Sequence, residues 1–165
     1  MDLRRLLRHL FFPPWRLGRA FARRTLEAIE HAIAASEAGH RGELRFAAEA
    51  GLDLLPLLRG LTPRQRAVEL FSGLRVWDTQ ENNGVLIYVQ LADRRVEILA
   101  DRGTAARVPQ AEWDAICRGM EHAFGRGEFE AGSLAAISKV SALLGAHFPP
   151  GAVNPDELPN RPLLL

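Results

Sequence analysis

Apolar and polar positions fall into helix or strand periods along most of the chain. Leu26, Ile29 and Ile33 share one helical face, and the spacing predicts a helix over residues 25–38, with Thr25 as its cap and Gly39 as its stop. From Gly42, Leu44 and Phe46 alternate with Glu43 and Arg45, the pattern of a strand with one drier face. Residues 51–60 are apolar but broken by Gly51, Pro56 and Gly60, which predicts a packed connection. A helix begins at Thr62-Pro63-Arg64-Gln65, where Thr62 caps, Pro63 suits the first helical position and Gln65 completes a capping box. It is expected to reach about Val76, with Ala67, Leu70, Phe71 and Leu74 turned inward.

Residues 84–91 are apolar on both alternating faces, which suits an interior strand covered by helices on two sides. Ala92-Asp93-Arg94 is a short turn, and Val96 and Ile98 alternate with Glu97 in a returning strand, so the two make an antiparallel hairpin. Further helices are expected from Pro109 to near Phe124 and over residues 129–147. Trp77 reads as an aromatic wedge between helix and strand, turned into the core. With no internal repeat and no Gly/Ser linker, the fold class is α/β: one domain, a small mixed central sheet with an antiparallel hairpin, helices on both faces. Its divisions are a basic amphipathic arm over residues 1–20, the domain over residues 21–150 and a flexible, turn-rich tail over residues 151–165.

Leu3, Leu6, Leu7, Leu10 and Phe11 form an apolar helical face opposite Arg4, Arg5 and Arg8. Such an arm either packs on its own domain or touches a membrane surface or the groove of a protein complex. Arg8 and His9 interrupt the apolar run and Pro13-Pro14 follow, which is unlike a cleavable signal. No stretch approaches the roughly 18 uninterrupted apolar residues of a spanning helix. A cytoplasmic location, peripheral at most to the inner membrane face, is therefore expected.

The 165 residues carry 21 basic and 20 acidic side chains for a formal net charge of +1, so there is no bulk attraction to nucleic acid. Cys117 is the only cysteine, which excludes an internal disulfide and a multi-cysteine zinc site. It shares a helical stripe with Trp113, Ile116, Met120 and Phe124, the setting of a small buried hydrophobe.

Hairpin topology brings the loop before the first strand and the loop after the second to one end of the sheet. Asp78, Asn82, Asn83 and Asp101 are the candidate metal ligands there, hard oxygen donors of the kind Ca²⁺ and Mg²⁺ prefer. The alternative is turn chemistry, since Asn and Asp bond their own backbone and tolerate left-handed geometry before Gly84. Arg102 and Arg107, ahead of a helix, are candidates for an anion at the same edge or else solvated. Asp93 lies at the opposite end and cannot join them. No EF-hand spacing, HExxH, GxSxG or phosphate loop is present, and the serines lie within predicted helices.

Trp77, Asn82-Asn83-Gly84-Val85-Leu86, the turn Asp93-Arg94-Arg95, the strand Val96-Glu97-Ile98 and Gly103 together resemble the TPM domain family. Gly42-Glu43-Leu44-Arg45 and Glu128-Phe129 extend the likeness across residues 21–148. The resemblance implies an α/β sandwich and, in some members, divalent-cation binding or acid-phosphatase activity, in others an accessory role in membrane complexes. It identifies a short cytoplasmic bacterial branch lacking the family's export signal, membrane anchor and glycine-rich tail. On that reading the chain is a divalent-cation-binding accessory or interaction module, with Ca²⁺ or Mg²⁺ as its one cofactor. The alternative is a metal-dependent acid phosphatase acting on phosphomonoesters.

Overall fold

Seven consecutive residues covered on both faces, Gly84 to Gln90, occupy an inner position of the sheet, and everything else is arranged around them. The computed structural model describes residues 2–151 and 156–165. In chain order its elements are α1 (Leu3–Leu10), α2 (Trp15–Ala20), α3 (Arg23–Glu37), β1 (Glu43–Glu49), α4 (Leu54–Leu58), α5 (Pro63–Gly73), β2 (Gly84–Gln90), β3 (Arg95–Ala100), α6 (Arg102–Ala105), α7 (Gln110–Gly125), α8 (Phe129–His147) and β4 (Leu163–Leu164). The sheet runs β3-β2-β1-β4. β2 and β3 are the antiparallel hairpin the sequence predicts, with Val85 opposite Ala100 and Gln90 opposite Arg95. β1 lies parallel to β2, Glu43 beside Gly84 and Glu49 beside Gln90, so the sheet is mixed.

Strand parity decides which helices cover which face. Leu44, Phe46, Val85, Ile87, Val96 and Ile98 point to α3, α7 and α8 and build the larger core. Ala47, Leu86, Tyr88 and Leu99 point the other way, toward α5 with Ala67 and Leu70. The expected class, one α/β domain with helices on both faces, is the one observed.

The start of α5 carries the full capping box, Thr62 Oγ1 accepting from Gln65 N at 3.2 Å and Gln65 Oε1 accepting from Thr62 N at 2.9 Å. Elsewhere local expectations give way to packing. Thr25 is not a cap: α3 begins two residues earlier, and the Thr25 hydroxyl donates to Glu130 at 3.2 Å, tying α3 to α8. Trp77 is not a core wedge but half exposed. Arg75 takes a left-handed backbone (φ 55°), which turns fully buried Val76 inward in its place. β1 has no wet face, because Glu43, Arg45 and Glu49 are all buried beside Leu44 and Phe46.

The cover over Glu43 and Arg45 is the C-terminal segment, whereas Glu49 pairs with Arg66 of α5 at 2.9 Å. The tail was expected to be loosely held; residues 156–165 instead lie along β1, with Leu158 buried and Leu163 and Leu164 paired with Ala47 and Ala48. Glu43 Oε2 accepts from Leu158 N at 3.1 Å, and the Arg45 guanidinium donates to the carbonyls of Pro159 and Arg161. A composition rich in turn formers concealed the apolar residues that dock it. Residues 152–155 of the same expected tail lie outside the described ones.

The arm packs on the domain in an unexpected way. Beside partly buried Leu6, its inward side chains are Arg5, paired with Asp93 at 2.9 Å, and His9, whose Nε2 lies 3.0 Å from the same carboxylate, while exposed Arg8 reaches it at 2.5 Å from the rim. The Asp93 turn, at the wrong end of the hairpin for the candidate site, is therefore the anchor of α1. Among the described residues no helix is long and apolar enough to cross a membrane.

Candidate functional site

Two loops are pressed together at the end of the sheet where β2 begins and β3 ends. Gly103 N donates to Asn82 O at 2.9 Å, and a Cβ on Gly103 would lie 2.5 Å from that oxygen and 2.7 Å from Glu81 O. Gly84 is equally constrained, since a Cβ there would overlap the Val76 carbonyl. Both glycines are needed for close approach of backbone to backbone.

Asn82 has a left-handed backbone (φ 53°), and its Oδ1 accepts from Arg102 Nε at 2.8 Å. That side chain does turn chemistry and has one lone pair engaged. Asn83 is fully buried; its backbone N donates to Thr79 Oγ1 at 3.1 Å, and its Nδ2 donates to Arg41 O at 2.6 Å. Asp101 caps α6, Oδ1 accepting from Arg102 N at 2.7 Å. Asp78 is exposed beyond the turn, its backbone N donating to Arg75 O at 2.9 Å and its side chain making no hydrogen bond among the described residues. Asn82, Asn83 and Asp101 thus share one loop contact, and nothing draws the Asp78 side chain into it.

Three buried side-chain oxygens at this edge have no hydrogen-bond partner among the described residues: Asn83 Oδ1, Asp101 Oδ2 and Thr104 Oγ1. Such atoms cost roughly 1–3 kcal/mol each when left unsatisfied. Thr104 was missed in the sequence. The signal was available, because Asp101 and Thr104 are three apart at a helix start, on one turn, with Thr104 N donating to Asp101 O at 3.0 Å.

A second acidic group stands at the same sheet end on the β1 side. Glu37, Glu43 and Asp156 each offer an oxygen within 4.8 Å of the others. Burial and the neighbouring Glu43 charge push the Glu37 carboxyl up to about 7. Burial pushes Glu43 up to about 7 as well, against the hydrogen bonds from the Glu157 and Leu158 amides. The sequence assigned Glu43 to a solvent face, so this group was not foreseen.

The two arginines expected to meet an anion are engaged otherwise. Arg102 holds Asn82, and the Arg107 guanidinium lies 4.5 Å over the Phe148 ring. Cys117 is partly buried against the larger core, and burial, with the Glu97 charge, pushes its thiol up to about 12. A thiol held protonated is no nucleophile at neutral pH.

A mixed parallel and antiparallel sheet, a hairpin whose loops meet over an Asn-Asn-Gly turn, and oxygen donors gathered at that end define a class of α/β domain. The sequence model of the TPM domain matches residues 18–143, and the chain belongs to the TPM domain family. Among solved structures, it is similar to the BA42 protein of the psychrophilic bacterium Bizionia argentinensis, with 30% identity and a TM-score of 0.76, covering 86% of this chain and 93% of that one. It also shares the fold of the N-terminal domain of a P. gingivalis protein, at 17% identity and a TM-score of 0.61, over 83% of this chain and 90% of that domain. No functionally curated protein matches.

Proposed function

We propose that this chain is a divalent-cation-binding accessory module, taking Ca²⁺ or Mg²⁺ at the sheet end formed by the Asn83 loop and the start of α6. The observation that carries the reading is the set of buried oxygens on Asn83, Asp101 and Thr104 that have no hydrogen-bond partner among the described residues. They are an amide, a carboxylate and a hydroxyl, hard donors suited to these ions. A bound cation would satisfy atoms that otherwise stand as unexplained cost. The acidic group of Glu37, Glu43 and Asp156 adds negative potential at the same end and supports the sign of the ligand.

Titration of the full chain with CaCl₂ and with MgCl₂, followed by amide NMR, tests this. The amides of residues 82–84 and 101–104 are expected to shift together, with one saturation curve. Asp101→Asn is expected to weaken that response at least ~tenfold, since it removes the only carboxylate among the three. A saturable response confined to residues near Glu43 and Asp156 would move the site to the acidic group, and no response would overturn the proposal.

Phosphomonoester hydrolysis is the other reading the family raises. It requires a nucleophile or metal-bound water beside a cationic group free to hold phosphate, and Arg102 and Arg107 are committed to Asn82 and Phe148. With p-nitrophenyl phosphate and either cation, no turnover that depends on Asp101 is expected.

A further inference from the structure

Amphipathic helices on soluble domains turn leucines inward and arginines outward; α1 instead packs Arg5 and His9 against the domain, with Leu6 partly covered, and leaves its other leucines outward beside Arg4 and Arg8. Arg5, half buried, donates to Asp93 and to Leu61 O at 2.7 Å, and buried His9 accepts from Leu52 N at 2.9 Å through Nδ1. Leu3, Leu7 and Leu10 are left outward at 59%, 45% and 59% exposure, followed by Phe11 at 73%. α4, packed beside α1, continues the surface with Leu54, Leu55 and Leu58, all exposed. With Trp15, these account for eight of the eleven large apolar side chains exposed among the described residues, so the exposed apolar surface is concentrated on neighbouring α1 and α4 and the start of α2.

The patch has a basic surround. Residues 2–24 hold seven arginines and one acidic residue, Asp2, whose carboxylate is used to cap α1. Asp93 is enclosed by Arg5, Arg8 and His9, which leaves Asp53 as the one exposed carboxylate at the start of α4. Where the leucine face ends, Phe12 and Trp15 border a cavity of about 570 Å³ whose wall carries Arg16, Arg19, Arg94 and Arg95. Of these four, Arg95 is held by Glu121 at 3.4 Å, while Arg19 and Arg94 make no ion pair among the described residues.

We propose that α1 and α4 form a docking face for an anionic phospholipid surface, with the leucines entering the acyl boundary and the arginine-lined cavity beside Trp15 receiving a phosphate headgroup. Leu and Phe on one side, an aromatic at the border and arginines around it are what an interfacial helix requires. A second copy of this chain is the poorer occupant, because it would bring two arginine-rich rims together. The polar bonds to Asp93 give the face its purpose. They hold α1 on the domain while Leu3, Leu7 and Leu10 stay outward.

Flotation of the full chain with equimolar phosphatidylglycerol and phosphatidylcholine vesicles tests the proposal, beside vesicles of phosphatidylcholine alone. Binding to the anionic vesicles, weakened by salt and much reduced on the neutral ones, is the expected result. Leu7→Glu with Leu10→Glu, both at exposed positions, is expected to keep the folded spectrum and lose roughly tenfold in partition per leucine. Val68→Glu, exposed on α5, is expected to bind as the unaltered chain does. Arg16→Glu with Arg19→Glu is expected to abolish the preference for anionic over neutral vesicles. The proposal is overturned if the chain stays at the bottom of both gradients, or if the leucine variant floats unchanged. Self-association in sedimentation that the leucine variant abolishes, without flotation, would equally overturn it in favour of a second copy.

Discussion

Glu43 begins an inner strand with its carboxyl almost wholly covered, facing Glu37 and the C-terminal segment. Its folded pKa of about 7 stands above the ordinary 4.5, the main cause being burial. Between those two values the folded chain binds more protons than the unfolded one, so stability falls as pH rises through the window and the penalty is complete above it. Glu43→Gln removes the ionisation and keeps an oxygen for the Leu158 amide. The variant is expected to be more stable than the unaltered chain by about 2 kcal/mol at pH 8 and about equal to it at pH 5, measured by urea unfolding at both. A gain independent of pH would mean the carboxyl is not strained by burial. At this scale the sequence was legible only in part. Parity placed Leu44 and Phe46 inward correctly, but parity alone cannot tell that the opposite face is covered by a segment more than a hundred residues away.

The hairpin is the element the sequence predicts best, because β2 and β3 are adjacent in the chain and their turn is short. Topology alone then brought Asn82, Asn83 and Asp101 to one end and excluded Asp93 from it. What Asp93 does instead depends on α1, whose docking on the turn is a contact between residues 88 apart in the chain. Burial raises the Asp93 carboxyl, yet the hydrogen bonds and charges of Arg5 and His9 outweigh it and hold the group below its usual 3.8. A depressed carboxylate contributes stability that is present above its unfolded pKa and lost as pH falls through the folded one. α1 is therefore expected to release below about pH 4. Asp93→Asn should reproduce the release at neutral pH, at a cost of about 2 kcal/mol, because Arg5 loses its counter-charge in a half-buried place while exposed Arg8 contributes little. Hydrogen exchange of residues 3–10 checks this: amides that stay protected in the variant would show that the bonds of Arg5 to Leu61 O and of Leu52 N to His9, not the carboxylate, hold the helix. At the other end of the hairpin, Gly103→Ala is expected to part the two loops and remove the joint cation response of residues 82–84 and 101–104 while leaving the sheet folded.

At the scale of the molecule, the two sheet faces are stabilised by different means. The larger core is closed by long helices whose periodicity the sequence displays, and α8 falls at its predicted bounds. Among the described residues, the second face is covered by α5 and the C-terminal segment over Tyr88, Arg45 and Glu43, and the segment's part in it was invisible in a stretch of prolines and asparagine. β1 lies between β2 and β4, so removal of residues 156–165 turns an interior strand into an edge with two of its pairings open. It also strips Arg45 of both carbonyl acceptors, Glu43 of the Leu158 amide, and the cluster of Leu86 and Tyr88 of Leu158. Burial of that one leucine is worth about 2 kcal/mol, and a buried guanidinium without acceptors costs at least as much again. The truncated chain is expected to lose at least ~3 kcal/mol in urea unfolding, and to associate through the exposed β1 edge, which sedimentation would register. Flotation with anionic vesicles by whatever monomer remains should be unchanged, since the leucine face and its arginines are carried by α1, α2, α4 and the turn between β2 and β3. Loss of vesicle binding in a chain that still folds would place the C-terminal segment in the docking surface. A truncated monomer as stable as the whole chain would show that α5 alone suffices to cover the second face.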